Sequence, residues 1–98
     1  MATQEEVEEL VRDVLKELPP ELYISPDITL LVFKTIESYS AKFGARYRVL
    51  GGGKGSSLNA QIGLMVKTLL GRENDVEQRV SDEQCALIES YTRFTPVL

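Results

Sequence analysis

Between Lys42 and Gly55 the chain gathers residues suited to one kind of chemistry, the binding of anions. Lys42, Arg46 and Arg48 carry positive charge, Tyr47 lies between the two arginines, and Lys54 stands among Gly51, Gly52, Gly53 and Gly55. Guanidinium and ammonium groups neutralise phosphates, glycine lets backbone amides approach them, and a tyrosine ring can stack on a base. Lys42, Arg46, Tyr47, Arg48, Gly52, Gly53, Lys54 and Gly55 are therefore the candidate residues for binding a phosphate-bearing partner such as a nucleic acid. The competing reading is a core tyrosine flanked by two solvated arginines beside a turn.

The glycine-rich stretch, residues 51–57, is a loop on either reading. It is not a Walker A loop, because Lys54 is followed by Gly55 and the position five before Gly53 is Arg48. Gly52-Gly53-Lys54-Gly55 follows apolar Val49-Leu50 and precedes a helical stripe, and over about ten residues it resembles the G-x-x-G loop of RNA-binding KH domains. The strands such a domain needs afterwards are not in the pattern. Four glycines exceed what a turn requires. The loop is expected to be either a flexible spacer or a cradle for an anionic group.

Catalysis has little to work with. The chain has no histidine and one cysteine, so a base near neutral pH and the common zinc sites are missing. Cys85 falls on an apolar stripe and reads as a buried thiol rather than a nucleophile. The expectation is a protein that is not an enzyme and uses no cofactor or metal.

The elements that must position these residues read as all-α. Thr3-Gln4-Glu5-Glu6 is a capping box, and Val7, Leu10, Val11, Val14, Leu15 and Leu18 form a stripe that Pro19-Pro20 stops, which predicts helix 1 over residues 4–18. Ser25-Pro26-Asp27 marks a second start. Ile28, Leu31, Val32, Ile36, Tyr39, Phe43, Tyr47 and Leu50 continue one face. Gly44 offers a stop, but the register favours a long central helix over residues 26–50. A third helix follows from residue 57 or 59 to Leu70, with Gly63 as a weak spot or a close approach. Ser81-Asp82-Glu83-Gln84 reads as another capping box and predicts a fourth helix over residues 82–93, with Leu87, Ile88, Tyr91 and Phe94 on its stripe. Residues 95–98 are expected to fray.

A short helix, a long central one and a third resemble the layout of the histone fold, whose subunits pair. Gly44 and the three glycines after Leu50 depart from it.

At 98 residues the chain makes one domain, and its net charge of −4 is unevenly spread. Residues 1–33 hold eight acids against two bases, residues 34–72 seven bases against one acid, and residues 73–98 six acids against two bases. Such asymmetry marks either a partner-binding face or acidic and basic helices lying side by side. Leu30, Leu31, Val32 and Phe33 cover more of helix 2 than two neighbouring helices need, so they are the expected interface. The functional expectation is a non-catalytic protein-interaction or regulatory subunit that forms a homodimer or joins a complex. The lone cysteine, the acidic opening without a signal-like segment and the lack of a membrane-length apolar run point to the cytoplasm, or the nucleus in a eukaryote.

Overall fold

A computed structural model describes residues 2–82 and 84–97. Among them are four α-helices and a two-stranded antiparallel sheet: α1 (Gln4–Lys16), α2 (Ile28–Ser38), α3 (Ala45–Val49), α4 (Ser57–Leu69), β1 (Val76–Ser81) and β2 (Ser90–Thr95). The domain is a mixed α/β one, and the all-α expectation is corrected by the hairpin.

Helix α1 starts as its sequence dictates. The Thr3 hydroxyl accepts the Glu6 N–H at 3.1 Å, and the Glu6 carboxylate accepts the Thr3 N–H at 2.9 Å. Val7, Leu10, Val11, Val14 and Leu15 are buried. Pro20–Ile24 forms a 3-10 turn, and the Tyr23 hydroxyl donates back to the Leu15 carbonyl at 2.5 Å.

The central helical path reaches Val49, but in pieces. Tyr39 leaves helical geometry, Ser40–Gly44 winds one π turn, and α3 resumes at Ala45. In the π turn the Gly44 N–H reaches the Tyr39 carbonyl at 3.0 Å. A Cβ on Gly44 would sit 3.4 Å from the Ile36 carbonyl oxygen. Gly44 thus permits a wide turn, which an α-helix uses as a local bulge, instead of ending the helix.

Two helices end alike. The Gly52 N–H donates to the Tyr47 carbonyl and the Gly51 N–H to the Arg48 carbonyl, both at 2.9 Å, with Gly51 at φ 93°. Gly71, at φ 66°, donates to the Thr68 carbonyl while Arg72 donates to the Lys67 carbonyl. Both are Schellman caps, in which a left-handed residue lets two amides satisfy the last carbonyls.

The helix expected over residues 82–93 is not formed among the described residues. Where residues 82–93 were expected to be helical, β2 pairs with β1 in the register Val76↔Thr95 through Ser81↔Ser90. The spacing of Ile88, Tyr91 and Phe94 reads as helical because β2 buries one residue on each face and Ile88, in the turn before it, is buried as well. Tyr91 and Phe94 are three apart, hence on opposite sides of the strand, yet both are buried. A strand covered on both sides loses its period of two. The expected cap includes Glu83, which lies outside the described residues. Asp82 instead accepts the Gln84 N–H at 3.0 Å, and its own N–H donates to the Glu89 carbonyl, closing the hairpin. Thr95, expected to begin a frayed tail, pairs with Val76, and Leu98 lies outside the described residues.

β2 lies on α2, and α4 crosses α1. Arg72, 7% exposed, joins the distant parts. Its guanidinium donates to the Ser25 carbonyl at 2.5 Å, the Tyr23 carbonyl at 3.4 Å, the Phe94 carbonyl at 3.3 Å and the Asp75 carboxylate at 2.5 Å. It also lies 5.5 Å from the centre of the Phe94 ring.

Asp27 ties the other face of β2 to the start of α2. Its carboxylate accepts the Tyr91 hydroxyl at 2.7 Å, with the Arg93 guanidinium at 3.5 Å. Burial first, then the bond to Asp27, pushes the Tyr91 phenol up to about 12. The folded value lies above the ordinary one, so the fold prefers the neutral phenol. This contribution to stability is complete below pH about 10 and is lost as pH rises through about 12. An ultraviolet phenolate titration of an Asp27→Asn variant is expected to show Tyr91 ionising at lower pH than in the parent; an unchanged curve would disconnect the two groups.

Candidate functional site

The residues expected to bind an anion do not converge. Lys42 donates to the Glu17 carboxylate at 2.6 Å, a contact that is the leading cause of its raised pKa. Arg46 donates to the Asp13 carboxylate at 2.9 Å. The basic segment therefore lies against acidic α1, which is the side-by-side arrangement of charges rather than an open basic face. Arg48 and Lys54 are exposed. Tyr47 is 1% exposed, its hydroxyl donating to the Asn59 side-chain oxygen at 2.6 Å.

The glycine loop is held from several sides. Asn59 donates its side-chain amide to the Gly53 carbonyl at 3.0 Å and to the Leu87 carbonyl at 2.9 Å, linking the loop, α4 and the hairpin turn. Gly52 lies flat on the Tyr47 ring: a Cβ there would be 2.4 Å from a ring carbon. Gly51 and Gly55 adopt positive φ. Gly51 thus serves a helix cap, Gly52 a cap and a close approach to Tyr47, and Gly55 a turn at positive φ.

The expected interface divides. Val32 and Phe33 are core residues at 0% and 2% exposure, whereas Leu30 and Leu31 are half-buried against that core. The excess apolar circumference of α2 is covered by β2, the element that an all-helical reading lacks. Val32 and Phe33 are thereby corrected from contact residues to core.

A different concavity emerges between α4 and the hairpin. It encloses about 310 Å³. One wall is α4, where Ala60 and Gly63 leave the helix surface low and Leu64 is exposed at the rim; the other is the hairpin face carrying Arg79 and Thr92. The Lys67–Glu77 ion pair, at 3.2 Å, bridges the walls. Thr29 and Phe33 of α2 belong to the lining. Thr29 is 1% exposed, and among the described residues its hydroxyl has no hydrogen-bond partner. A helical threonine ordinarily bonds the carbonyl four residues back. Here that carbonyl, Ser25, already accepts from Arg72 and from the Ile28 N–H. A Cβ on Gly63 would lie 3.9 Å from the Thr29 methyl.

No family model, curated protein or solved structure matches this chain. Its chemistry is therefore read from the chain alone. Among the described residues no group of three or more Cys, Asp and Glu is placed to hold a metal ion, and no helix is long and apolar enough to cross a membrane. Cys85 is 1% exposed and burial pushes its thiol upward, which disfavours the nucleophilic thiolate. Sequence reasoning missed the cleft because it depends on the hairpin. The available signal was Ala60 and Gly63, two small residues three apart on one face of α4.

Proposed function

We propose that this chain is a non-catalytic protein-interaction module whose cleft between α4 and the hairpin receives a short extended segment of a partner protein. The observation that carries the reading is the buried, unpartnered Thr29 hydroxyl in a largely formed cleft. An unpaired buried polar group costs about 1–3 kcal/mol, a cost that a peptide amide or carbonyl removes once the cleft walls move enough to expose the hydroxyl. The volume is at the small end of ligand sites, roughly 300–1,000 Å³, and suits one or two side chains better than a whole helix. Phe33 and Leu64 favour an apolar anchor, while the charged rim of Lys67, Glu77 and Arg79 favours a polar flank.

The nucleic-acid reading loses support from its own residues. Two of its cations are paired with Asp13 of α1 and Glu17 at its end, Glu77 and Glu89 line the cleft, and the net charge is −4.

A Gly63→Leu variant tests the cleft. Leucine is the better helix former by roughly 1 kcal/mol, and a Cβ there makes only an ordinary contact with the Thr29 methyl at 3.9 Å, so the fold is retained while the cleft is filled. Selection from a displayed heptapeptide library is expected to yield binders to the parent that lose at least about tenfold in affinity for the variant. Binders insensitive to Gly63→Leu, or none at all, would overturn the reading.

A further inference from the structure

Among the described residues strand β1 has one neighbouring strand, β2, and its other edge is unpaired. The hydrogen bond from the Asp82 N–H to the Glu89 carbonyl, at 3.0 Å, makes those two residues a bonded pair. Alternation along the antiparallel register then makes Val80/Tyr91, Gln78/Arg93 and Val76/Thr95 bonded pairs as well. The N–H and C=O groups of Glu77, Arg79 and Ser81 consequently turn away from β2. The same alternation sends the Phe94 N–H outward on β2, where it meets the Pro26 carbonyl at 2.9 Å. On the β1 side the outward groups have no backbone partner among the described residues.

Protected edges ordinarily carry proline, a bulge, or charges that reject another strand. β1 has neither proline nor an offset in its register, and its charges are arranged in an unusual order. Val76-Glu77-Gln78-Arg79-Val80 is self-complementary about Gln78. Laid antiparallel on a second copy with Gln78 opposite Gln78, it places Glu77 opposite the partner's Arg79, Arg79 opposite the partner's Glu77, and Val76 opposite the partner's Val80. The backbone agrees with this register. Glu77 and Arg79 are the residues whose N–H and C=O groups face outward, so each opposed Glu–Arg pair exchanges two hydrogen bonds, while Gln78 falls at a non-bonded position on the two-fold axis. Shifting the centre to Arg79 would put two arginines face to face, which is unfavourable.

We propose that a second copy of this chain docks on β1 in that register, joining two hairpins into one four-stranded antiparallel sheet. The side chains fit this use. Arg79 has no carboxylate partner among the described residues, and Val76 is 57% exposed. Glu77 keeps Lys67 at 3.2 Å and gains the partner's Arg79. The contact differs from the apolar helix face expected from the sequence, and it shares Glu77 and Arg79 with the rim of the α4 cleft.

The charge order supplies the test. Arg79→Glu gives a strand with acids at both positions, and Glu77→Arg one with bases at both. Each variant opposes like charges to itself, yet the two variants complement each other. By sedimentation equilibrium the parent is expected to be a dimer at about 200 μM, well above the ~1 μM of a modest affinity. Each variant alone should dimerise at least about tenfold more weakly, and an equimolar mixture should recover a mass of two chains. Circular dichroism on each variant establishes that it is folded. A monomeric parent overturns the proposal. So do single variants that remain dimeric, which would place the contact elsewhere, and a mixture of folded variants that stays monomeric, which would exclude this register. Gly63→Leu should leave the dimer unchanged, separating this contact from peptide binding in the cleft.

Discussion

Replacing Arg72 with alanine is expected to destabilise the domain by about 3–5 kcal/mol, the range for removing one partner of a buried ion pair. A domain of this size has only about 5–15 kcal/mol in total. The reason for so large an effect lies in what the guanidinium reaches. It satisfies carbonyls of Tyr23, Ser25 and Phe94 together with the Asp75 carboxylate. Alanine leaves those acceptors facing a space that the arginine filled. Arg72→Lys keeps the charge but not the planar fork, and one ammonium cannot serve four acceptors on different elements. It should therefore recover only a minor part of the loss. Thermal unfolding followed by circular dichroism is the measurement, with a fall in Tm of roughly 15 °C or more for alanine. A loss below about 1 kcal/mol would mean that Arg72 is not the tie described.

Two adjacent glycines should respond unequally to alanine. Gly52→Ala places a methyl 2.4 Å from a carbon of the Tyr47 ring, which is 1% exposed. The ring cannot retreat without disturbing the 2.6 Å bond from its hydroxyl to Asn59. Overpacking of about 1–3 kcal/mol adds to the loss of a buried hydrogen bond worth about 1 kcal/mol, so the expected cost is about 2–4 kcal/mol. Gly53→Ala meets nothing within 4 Å and needs no positive φ. It should change stability by less than about 0.5 kcal/mol, as ordinary surface substitutions do. Urea unfolding of the pair decides the matter. Equal effects would show that the loop tolerates both methyls and that Gly52 is not in tight contact with Tyr47.

The elements legible in the sequence were those whose signals are local. The Thr3–Glu6 capping box and the α1 stripe need only a few neighbouring residues to be recognised, and both occur. Pro19-Pro20 and Gly71 end helices through their own backbone preferences. The hairpin was illegible because β2 owes its pattern to what covers it. Phe94 packs by Arg72, while Tyr91 bonds Asp27 on the other side. The site suffered the same way. Lys42 and Arg46 had the right chemistry for an anion, but their partners, Glu17 and Asp13, lie 25 and 33 residues away in sequence. Gly52 looked like freedom when it was a close contact.

The joining of the chain's first third to its end bears on how the protein is made. Pro26, Asp27 and Arg72 all leave the ribosome before β2, which supplies Phe94 and Tyr91 to bond with them. At roughly 5–20 residues per second, the flank of α2 that carries Phe33 stays wet for on the order of seconds after α4 has formed. The helical part can assemble during synthesis, but the strand that closes it follows both α4 and β1. A nascent chain interrupted before Ser90 is thus not a smaller version of the domain. It carries an arginine without its acceptor on β2 and an uncovered apolar flank, which makes it a target for chaperones and proteases.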